Sequence, residues 1–340
     1  NIDIITTNLN GNNKLDVVPN IFINQFGFNV KYYNNSLLPF FSLRMIFGLY
    51  NDIKDANIVH IQSIFSLSTL LALIHSNLQK KTIFLSPRGS LSLWSFKHRG
   101  LMKKIWIKFL IKPFQKHIFW HATSEKEIRD IQNFFPNSNI ELVSDGVSFE
   151  ESEIKDECSK KWQNNFYIAC LGRLHKVKGY DLMIKAMPNI LKVHSNLKLF
   201  IAGMDEGELD ELIDLSQELK IQDNIEFVGQ LDSDNKNCFL KHAQCLVMPS
   251  HTENFGLVAA EALFQNTPVI ASKNTPWEVL ETEHAGFHII NTPQAISQAV
   301  ITILKDTESY SKNTNRVVEQ FSWSKIAKTY KSTLLKISKR

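Results

Sequence analysis

Apolar and polar positions follow two different rhythms along this 340-residue chain. The opening run at 3–7 and the runs at 58–61 and 82–85 are short, rich in Ile, Val, Thr and Phe, and read as strands. Between and after them, 64–79, 100–116 and 124–134 carry apolar residues at helical spacing. Ser124 with Glu127 three residues on has the S-x-x-E form of a helix start, with the Glu expected to close a capping box. The rhythm breaks over 150–161, which is dense in charge and has no apolar period. It then resumes with strands expected at 167–171, 197–201, 225–228, 245–248 and 267–270. Helices are expected between them at 180–194, 208–219, 234–243 and 255–264.

Strands alternating with helices build parallel sheets covered on both faces. The fold class expected is therefore α/β, with two Rossmann-like domains facing across a cleft where ligands bind. The boundaries read as 1–150 for the first domain, 151–164 for a linker, 165–311 for the second domain, and 312–340 for a closing segment.

Composition narrows the class. Hydrophobic residues at 44% and charged residues at 21% are those of a globular protein and exclude disorder. The longest apolar stretch, around 64–74, is broken by Ser66, Ser68 and Thr69 and falls short of a membrane span. No leader-like segment opens the chain, so a soluble, cytoplasmic protein is expected. The four cysteines form no C-x-x-C pair and read as reduced, buried thiols, and neither they nor the histidines have metal-ligand spacing. Net charge is uneven. Residues 1–124 carry 14 Lys and Arg against four Asp and no Glu, a balance of +10 in a chain of +4 overall. A basic front half and an acidic back half point to different partners.

The chemistry concentrates at 249–263. A buried strand ends at Met248, and a polar loop carrying Glu253 and Asn254 leads into a helix expected to begin near Phe255. The first amides of that helix, near Phe255, Gly256 and Leu257, lack intrahelical acceptors and face an anion with the helix dipole behind them. Glu261 follows eight residues after Glu253, so two carboxylates flank a phosphate-ready helix start and can accept from hydroxyls on either side of a diphosphate. The plainer alternative is a capping Glu253 and a surface Glu261. A second constellation, Gly172 to Gly179, also follows a buried strand. There Arg173 can hold phosphate oxygens bidentately and Lys178 adds a point charge. No G-x-G-x-x-G follows any expected strand, which excludes a dinucleotide-dependent dehydrogenase.

With these residues in view the chain resembles family 4 glycosyltransferases of the GT-B fold. The matching segments are Leu171-Gly172-Arg173 through Lys178-Gly179, Ile201-Ala202-Gly203, Phe227-Val228-Gly229, Pro249 through Ala262 with its Glu-x7-Glu, Thr267-Pro268-Val269-Ile270, and Phe321-Ser322-Trp323. Segments Ser86 to Ser90, His121 to Ser124 and Asn274 to Glu278 resemble members that build bacterial surface polysaccharides.

The resemblance implies a retaining enzyme that transfers a hexose-type sugar from a UDP- or GDP-linked donor without metal or other cofactor. Glu253 would contact the donor sugar, Glu261 the ribose, and Arg173 and Lys178 the departing diphosphate. Gly172, Asn254, Phe255, Gly256 and Leu257 would complete the donor site. It also implies a helix over 323–337 returning to the first domain. Relatives carry a strand and Gly-rich loop ahead of one like Asp3-Ile4-Ile5, so the first domain is expected to lack them, which ties transfer activity to that segment. Many relatives also have a His where this chain has Arg88, making His60 and Arg88 the candidate cleft and acceptor residues.

The acceptor implied is lipid-linked or polysaccharide, in lipopolysaccharide, capsule or exopolysaccharide synthesis. Residues 97–116 hold seven Lys and Arg and no acid, interleaved with Leu, Ile, Phe and Trp. This suits contact with an anionic membrane surface at the inner face of the cytoplasmic membrane. No nucleic-acid motif accompanies the charge. The alternatives are a non-catalytic or truncated sugar-nucleotide-binding remnant, and a nucleotide-sugar epimerase or phosphorylase of the same fold.

Overall fold

The computed structural model describes residues 2–11, 13–25, 27–36, 38–97, 99–147 and 160–339. Residues 151–159 of the expected linker lie outside them; 160–164 contain one helical turn, Lys160–Gln163. The chain divides into two units, Asn1–Val143 with Tyr330–Arg340, and Ser144–Thr329.

In the first unit, β1 (Asp3–Thr7) pairs parallel with β3 (Phe28–Tyr33), and β2 (Phe22–Gln25) lies antiparallel on the other side of β3. A second, all-parallel sheet runs in chain order through β4 (Ile58–Gln62), β5 (Thr82–Ser86), β6 (Ile118–Ala122) and β7 (Asn139–Leu142). Helices α1 (Leu43–Asp52) and α2 (Leu67–Leu78) pack together, with the Ser66 hydroxyl capping α2 by accepting from the Thr69 amide at 3.1 Å. Ile83, Phe84 and Leu85 are consecutive and all buried, so β5 is covered on both faces.

The helix expected over 100–116 is not continuous. It divides into α3 (Gly100–Trp106), a π-helical turn over Ile107–Ile111 and a 3-10 stretch over Lys112–His117. Pro113 has no amide to continue the α-helical ladder. The wider turn lets Ile107 and Ile111 both bury, while Trp106 turns inward and its indole N–H donates to the Ile64 carbonyl at 2.9 Å.

In the second unit β8 (Tyr167–Leu171), β9 (Lys198–Ala202), β10 (Ile225–Gly229), β11 (Leu246–Met248), β12 (Val269–Ser272) and β13 (Gly286–Ile289) form one parallel sheet. Its order is β10-β9-β8-β11-β12-β13. β8 shows why: Tyr167 and Ala169 join one buried core, Ile168 and Cys170 the other. The first core packs α7 (Ser233–Lys241) and α8 (Leu257–Phe264), and the second packs α5 (Tyr180–Leu191) and α9 (Pro293–Lys305). α6 (Leu209–Glu218) buries Leu212 in the second core. The expected α/β, Rossmann-like architecture is present, with sheets covered by helices. The last helix, α10 (Trp323–Ile337), starts within the second unit and ends within the first, where Lys336 pairs with Glu141 at 2.7 Å.

Cys170 and Cys245 are free and buried, and burial pushes the Cys245 thiol up to about 12. Cys238 is instead disulfide-bonded, a departure from the reading of four reduced thiols; Cys158 lies outside the described residues.

Candidate functional site

The chain runs outward from β8 through β9 to β10, then restarts on the other side of β8 at β11. In an open parallel sheet this reversal opens a crevice at the carboxyl ends of the two central strands. The two loops singled out from the sequence leave from those ends: Gly172 to Gly179 follows β8, and Pro249 to Gly256 follows β11.

The loops are fastened to each other. The His251 amide donates to the Val177 carbonyl at 2.8 Å. Lys178 Nζ lies 2.9 Å from Glu253 Oε2, with both side chains largely buried. Gly179 has φ +67°, and a Cβ there would run into the Pro249 carbonyl, so glycine is required both by conformation and by space. Within the first loop, His175 Nδ1 accepts from the Val177 amide at 3.1 Å and Lys176–Lys178 winds into a 3-10 turn.

Arg173 is more exposed than Lys178, and its Nη1 donates to both carboxylate oxygens of Glu206, at 2.7 and 2.8 Å. Backbone bonds fix that acid: the Leu174 amide donates to Met204 O at 2.8 Å, and the Glu206 amide to Leu174 O at 3.0 Å. Asp205 Oδ1 accepts from the amides of Gly207, Glu208 and Leu209, which together hold its carboxyl below its ordinary value. Gly172 has φ +147°, a conformation that L side chains rarely adopt, and a Cβ there would also press on the buried Tyr180 hydroxyl.

The helix after Glu253 begins later than expected. α8 starts at Leu257, and Gly256 precedes it as a left-handed cap with φ +81° and ψ 66°. The first amides of the helix are thus those of Leu257 and Val258, while Phe255 lies before the helix and is buried. Its ring packs at 5.3 Å on both Trp277 and Phe321, and its carbonyl accepts from the Trp277 indole at 2.6 Å. The apolar anchor wins over helical continuation here, and only glycine follows it at this φ without strain. Asn254 lies in the turn between Glu253 and this anchor. Glu261, more than one turn into α8, has Oε1 at 2.8 Å from Lys236 Nζ on α7.

His60 and Arg88 belong to the first unit. Arg88 stands exposed in the loop after β5, with φ +54°, and its Nε donates to Gln62 Oε1 at 2.7 Å. Gln62 Nε2 in turn lies 3.0 Å from His60 Nε2 and 3.3 Å from Nδ1, and the Tyr330 hydroxyl meets His60 Nδ1 at 2.5 Å. Burial, with His121 and Arg88 adding to it, lowers His60 to about 3, so the ring is neutral. The same loop is pinned by Glu127. Its Oε1 accepts from the Gly89 amide at 2.7 Å and its Oε2 from the Thr123 amide and hydroxyl, both at 2.9 Å. Ser124 caps α4 (Glu125–Phe134) as expected, but the carboxylate expected to complete the box ties together the loops after β5 and β6.

Glu206, Lys236, Gln62 and Glu208 were not among the residues read from the sequence. Each is a polar residue in a polar stretch, and only the chain's path brings it to a functional loop. Glu208 is the most unusual of them. It is buried, Oε2 has no partner, and burial followed by the charges of Asp181 and Glu211 raises it to about 7. Among the described residues no group of three or more His, Cys, Asp or Glu is arranged to hold a metal ion, and no helix is long and apolar enough to cross a membrane.

Residues 151–319 match the family described as Glycosyl transferases group 1. An uncharacterized glycosyltransferase of Methanocaldococcus jannaschii is 31% identical over 208 residues, 57% of this chain and 53% of that protein. A second from the same organism is 25% identical over 334 residues, 92% of this chain and 79% of its own length. The D-inositol 3-phosphate glycosyltransferase of Corynebacterium glutamicum is 28% identical over 227 residues, 61% of this chain and 54% of the relative. The chain thus spans about half the length of two of these three relatives. Among solved structures, sucrose-phosphate synthase from Thermosynechococcus elongatus superposes with a TM-score of 0.75 at 18% identity, covering 98% of this chain and 88% of its own. Anabaena HepE in complex with UDP and glucose superposes with a TM-score of 0.74 at 16% identity, covering 91% and 87%. The fold is that of GT-B glycosyltransferases.

Proposed function

Since residues 151–319 carry a glycosyl transferases group 1 domain, we propose that the chain is a retaining, family 4-type glycosyltransferase. It moves a hexose-type sugar from a UDP- or GDP-linked donor, without a metal, to a lipid-linked or polysaccharide acceptor of a bacterial surface glycan. The observation that carries the reading is the fastening of Lys178 to Glu253 across the two loops at the sheet's reversal point. A UDP-bound neighbour of the same fold favours the nucleotide-sugar donor.

In this reading the donor diphosphate lies over the loop after β8 and the start of α8. Breaking the anomeric bond builds negative charge on the diphosphate and cationic character on the sugar. Arg173, Lys178 and the amides of Leu257 and Val258 stabilise the first where it develops. Gly172 and Gly256 let the anion approach the backbone. Asn254 and Glu253 border the sugar, with Glu253 accepting from its hydroxyls, and Glu261 accepts from the ribose. A donor phosphate oxygen takes the acceptor's proton as the acceptor attacks from the face the diphosphate leaves. On the first unit, Arg88, steadied by Gln62 and His60, is the candidate acceptor contact.

The membrane surface is the proposed setting, with the protein peripheral to it. Leu101, Met102, Ile105 and Phe109 are exposed among Lys104, Lys108 and Lys112, an apolar ridge with cations beside it that fits an anionic lipid surface.

The test is calorimetric titration with UDP, GDP and their sugars, in the presence of EDTA, on the parent chain and Arg173→Ala. One nucleoside diphosphate is expected to bind without metal, and the substitution to weaken it by about 1.5–3 kcal/mol. Binding that requires a divalent cation, or is indifferent to Arg173, contradicts the reading.

A further inference from the structure

The ribose-side carboxylate proposed above, Glu261, is held by a lysine that no motif announces. Lys236 Nζ lies 2.8 Å from Glu261 Oε1, and the two side chains are 28% and 26% exposed. The lysine owes its place to its helix. Asp232 caps α7 by accepting from the Asn235 amide and side chain, both at 2.9 Å, and the Lys236 amide closes the first turn onto Asp232 O at 2.8 Å. Cys238, Phe239 and Leu240, all buried, fix α7 in the core it shares with α8. Lys236 is therefore carried to the flank of α8 by a capped and anchored helix. A partly buried ammonium and carboxylate in contact offset each other's desolvation, and removing either leaves the other uncompensated. With Oε1 engaged, the carboxylate is fixed in rotation, and Oε2 is the oxygen left to accept from a diol.

We propose that Lys236 is a positioning residue for nucleotide recognition, orienting Glu261 toward the ribose hydroxyls of a nucleoside diphosphate. This rests on the reading of the second unit as a nucleotide-sugar site. It assigns Lys236 a role in reading ribose, separate from the diphosphate contacts of Arg173 and Lys178. The sequence position of Lys236, in the polar run Ser233 to Asn237, gives no sign of it.

The experiment is calorimetry with UDP and GDP, and with the 2′,3′-dideoxy form of whichever binds, on the parent, Lys236→Met, Lys236→Arg, Glu261→Gln and Lys236→Met/Glu261→Gln. Lys236→Met is expected to weaken the ribonucleotide roughly tenfold, the scale of a charge-assisted hydrogen bond, and to leave the dideoxy compound unchanged. Lys236→Arg restores most of the affinity, and the double variant is no weaker than Glu261→Gln alone. Equal weakening of both nucleotides by Lys236→Met assigns the lysine to packing and overturns the proposal. So does a Lys236→Met variant that binds like the parent while Glu261→Gln loses affinity. If the parent binds neither UDP nor GDP, the donor reading fails and this one with it. Thermal melts of each variant separate loss of fold from loss of recognition, and Lys236→Arg supplies the answer should Lys236→Met not fold.

Discussion

Lys178 and Glu253 stand 75 positions apart in the chain and 2.9 Å apart in the structure. They meet because β8 and β11 are neighbours in the sheet although β9 and β10 intervene in sequence. The match to the glycosyl transferases group 1 family covers both loops, and in the proposed reading the pair joins a cation for the leaving group to a carboxylate for the sugar. In the proposed reading a diphosphate arriving at Lys178 competes with Glu253 for the same ammonium, which would link donor binding to the freedom of the carboxylate.

That linkage gives the first prediction. If Lys178 stabilises the leaving group as proposed, Lys178→Met is expected to lower kcat by about 10²-fold or more, the scale of removing one preorganised donor. Glu253→Gln keeps shape and removes the charge that holds Lys178. Nucleoside diphosphate then binds as well as or better than in the parent, while sugar transfer falls. A Glu253→Gln variant with weaker diphosphate binding and unchanged transfer runs against the assignment.

Gly179 allows a test by backbone alone. Its positive φ and the nearby Pro249 carbonyl leave no room for a Cβ. Gly179→Ala is expected to destabilise the second unit by about 1–3 kcal/mol and to weaken donor binding by pushing the two loops apart. Gly207, with φ +93° and nothing within 4 Å of a Cβ, is the control. Gly207→Ala carries the conformational strain without the collision, so calorimetric melting should show the smaller loss there. Equal losses at the two sites mean that the loop contact contributes nothing.

The contrast between these glycines and the lysines shows what the sequence carries. The apolar runs of β8 and β11 and the periodic helices after them mark the βα units directly, because a strand covered on both faces must be continuously apolar. Glu253, Lys178 and Arg173 were legible because each sits at a strand's end, where the order of elements alone puts it at the sheet's carboxyl edge. Lys236 and Glu206 were not. Their partners are set by which helix lies beside which, and that depends on sheet order. α8 starts later than the apolar period predicts for another reason: buried Phe255, packed on Trp277 and Phe321, takes the place of the first helical residue. At 107–111 the apolar period survives, but a π-turn re-aims it. Leu101, Ile105 and Phe109 are exposed, while Trp106 is half-buried with its indole bonded to the Ile64 carbonyl.

This re-aiming sharpens the membrane prediction. Leu101 is 74% and Phe109 63% exposed. Burying such a side chain in an interface contributes about 1.5–3 kcal/mol, and a lysine near an anionic surface about 1 kcal/mol. The protein is expected to sediment with vesicles of phosphatidylglycerol and phosphatidylcholine, less so with phosphatidylcholine alone. Leu101→Glu/Phe109→Glu should abolish sedimentation without lowering the melting temperature. Trp106→Phe should not affect sedimentation, since the indole is engaged with Ile64 O. Sedimentation that survives the double substitution assigns lipid contact elsewhere.

Glu208 predicts an unusual pH dependence. It is buried at the start of α6 with Oε2 unpartnered. The charged groups acting on it are Asp181 on α5, Glu211 and Asp205 on its own segment, and Lys176 from the loop after β8. Burial is the main cause of its elevation from 4.5 to about 7, the acids add to it, and Lys176 opposes it. A group whose folded value is raised holds its proton more tightly in the native state. Its contribution to stability is therefore complete below about 4.5 and lost as pH rises through about 7, by up to about 3 kcal/mol. Glu208→Gln removes that loss, since its amide is neutral at every pH. The parent's second unit should melt progressively lower between pH 5 and pH 8 relative to Glu208→Gln, with the variant the more stable at pH 8. Lys176→Met, which deletes the cation opposing the shift, should move the parent's loss of stability to higher pH. A Glu208→Gln variant less stable than the parent at pH 8 means that the carboxylate is ionised and favourably paired in the native protein, contrary to its unpartnered oxygen.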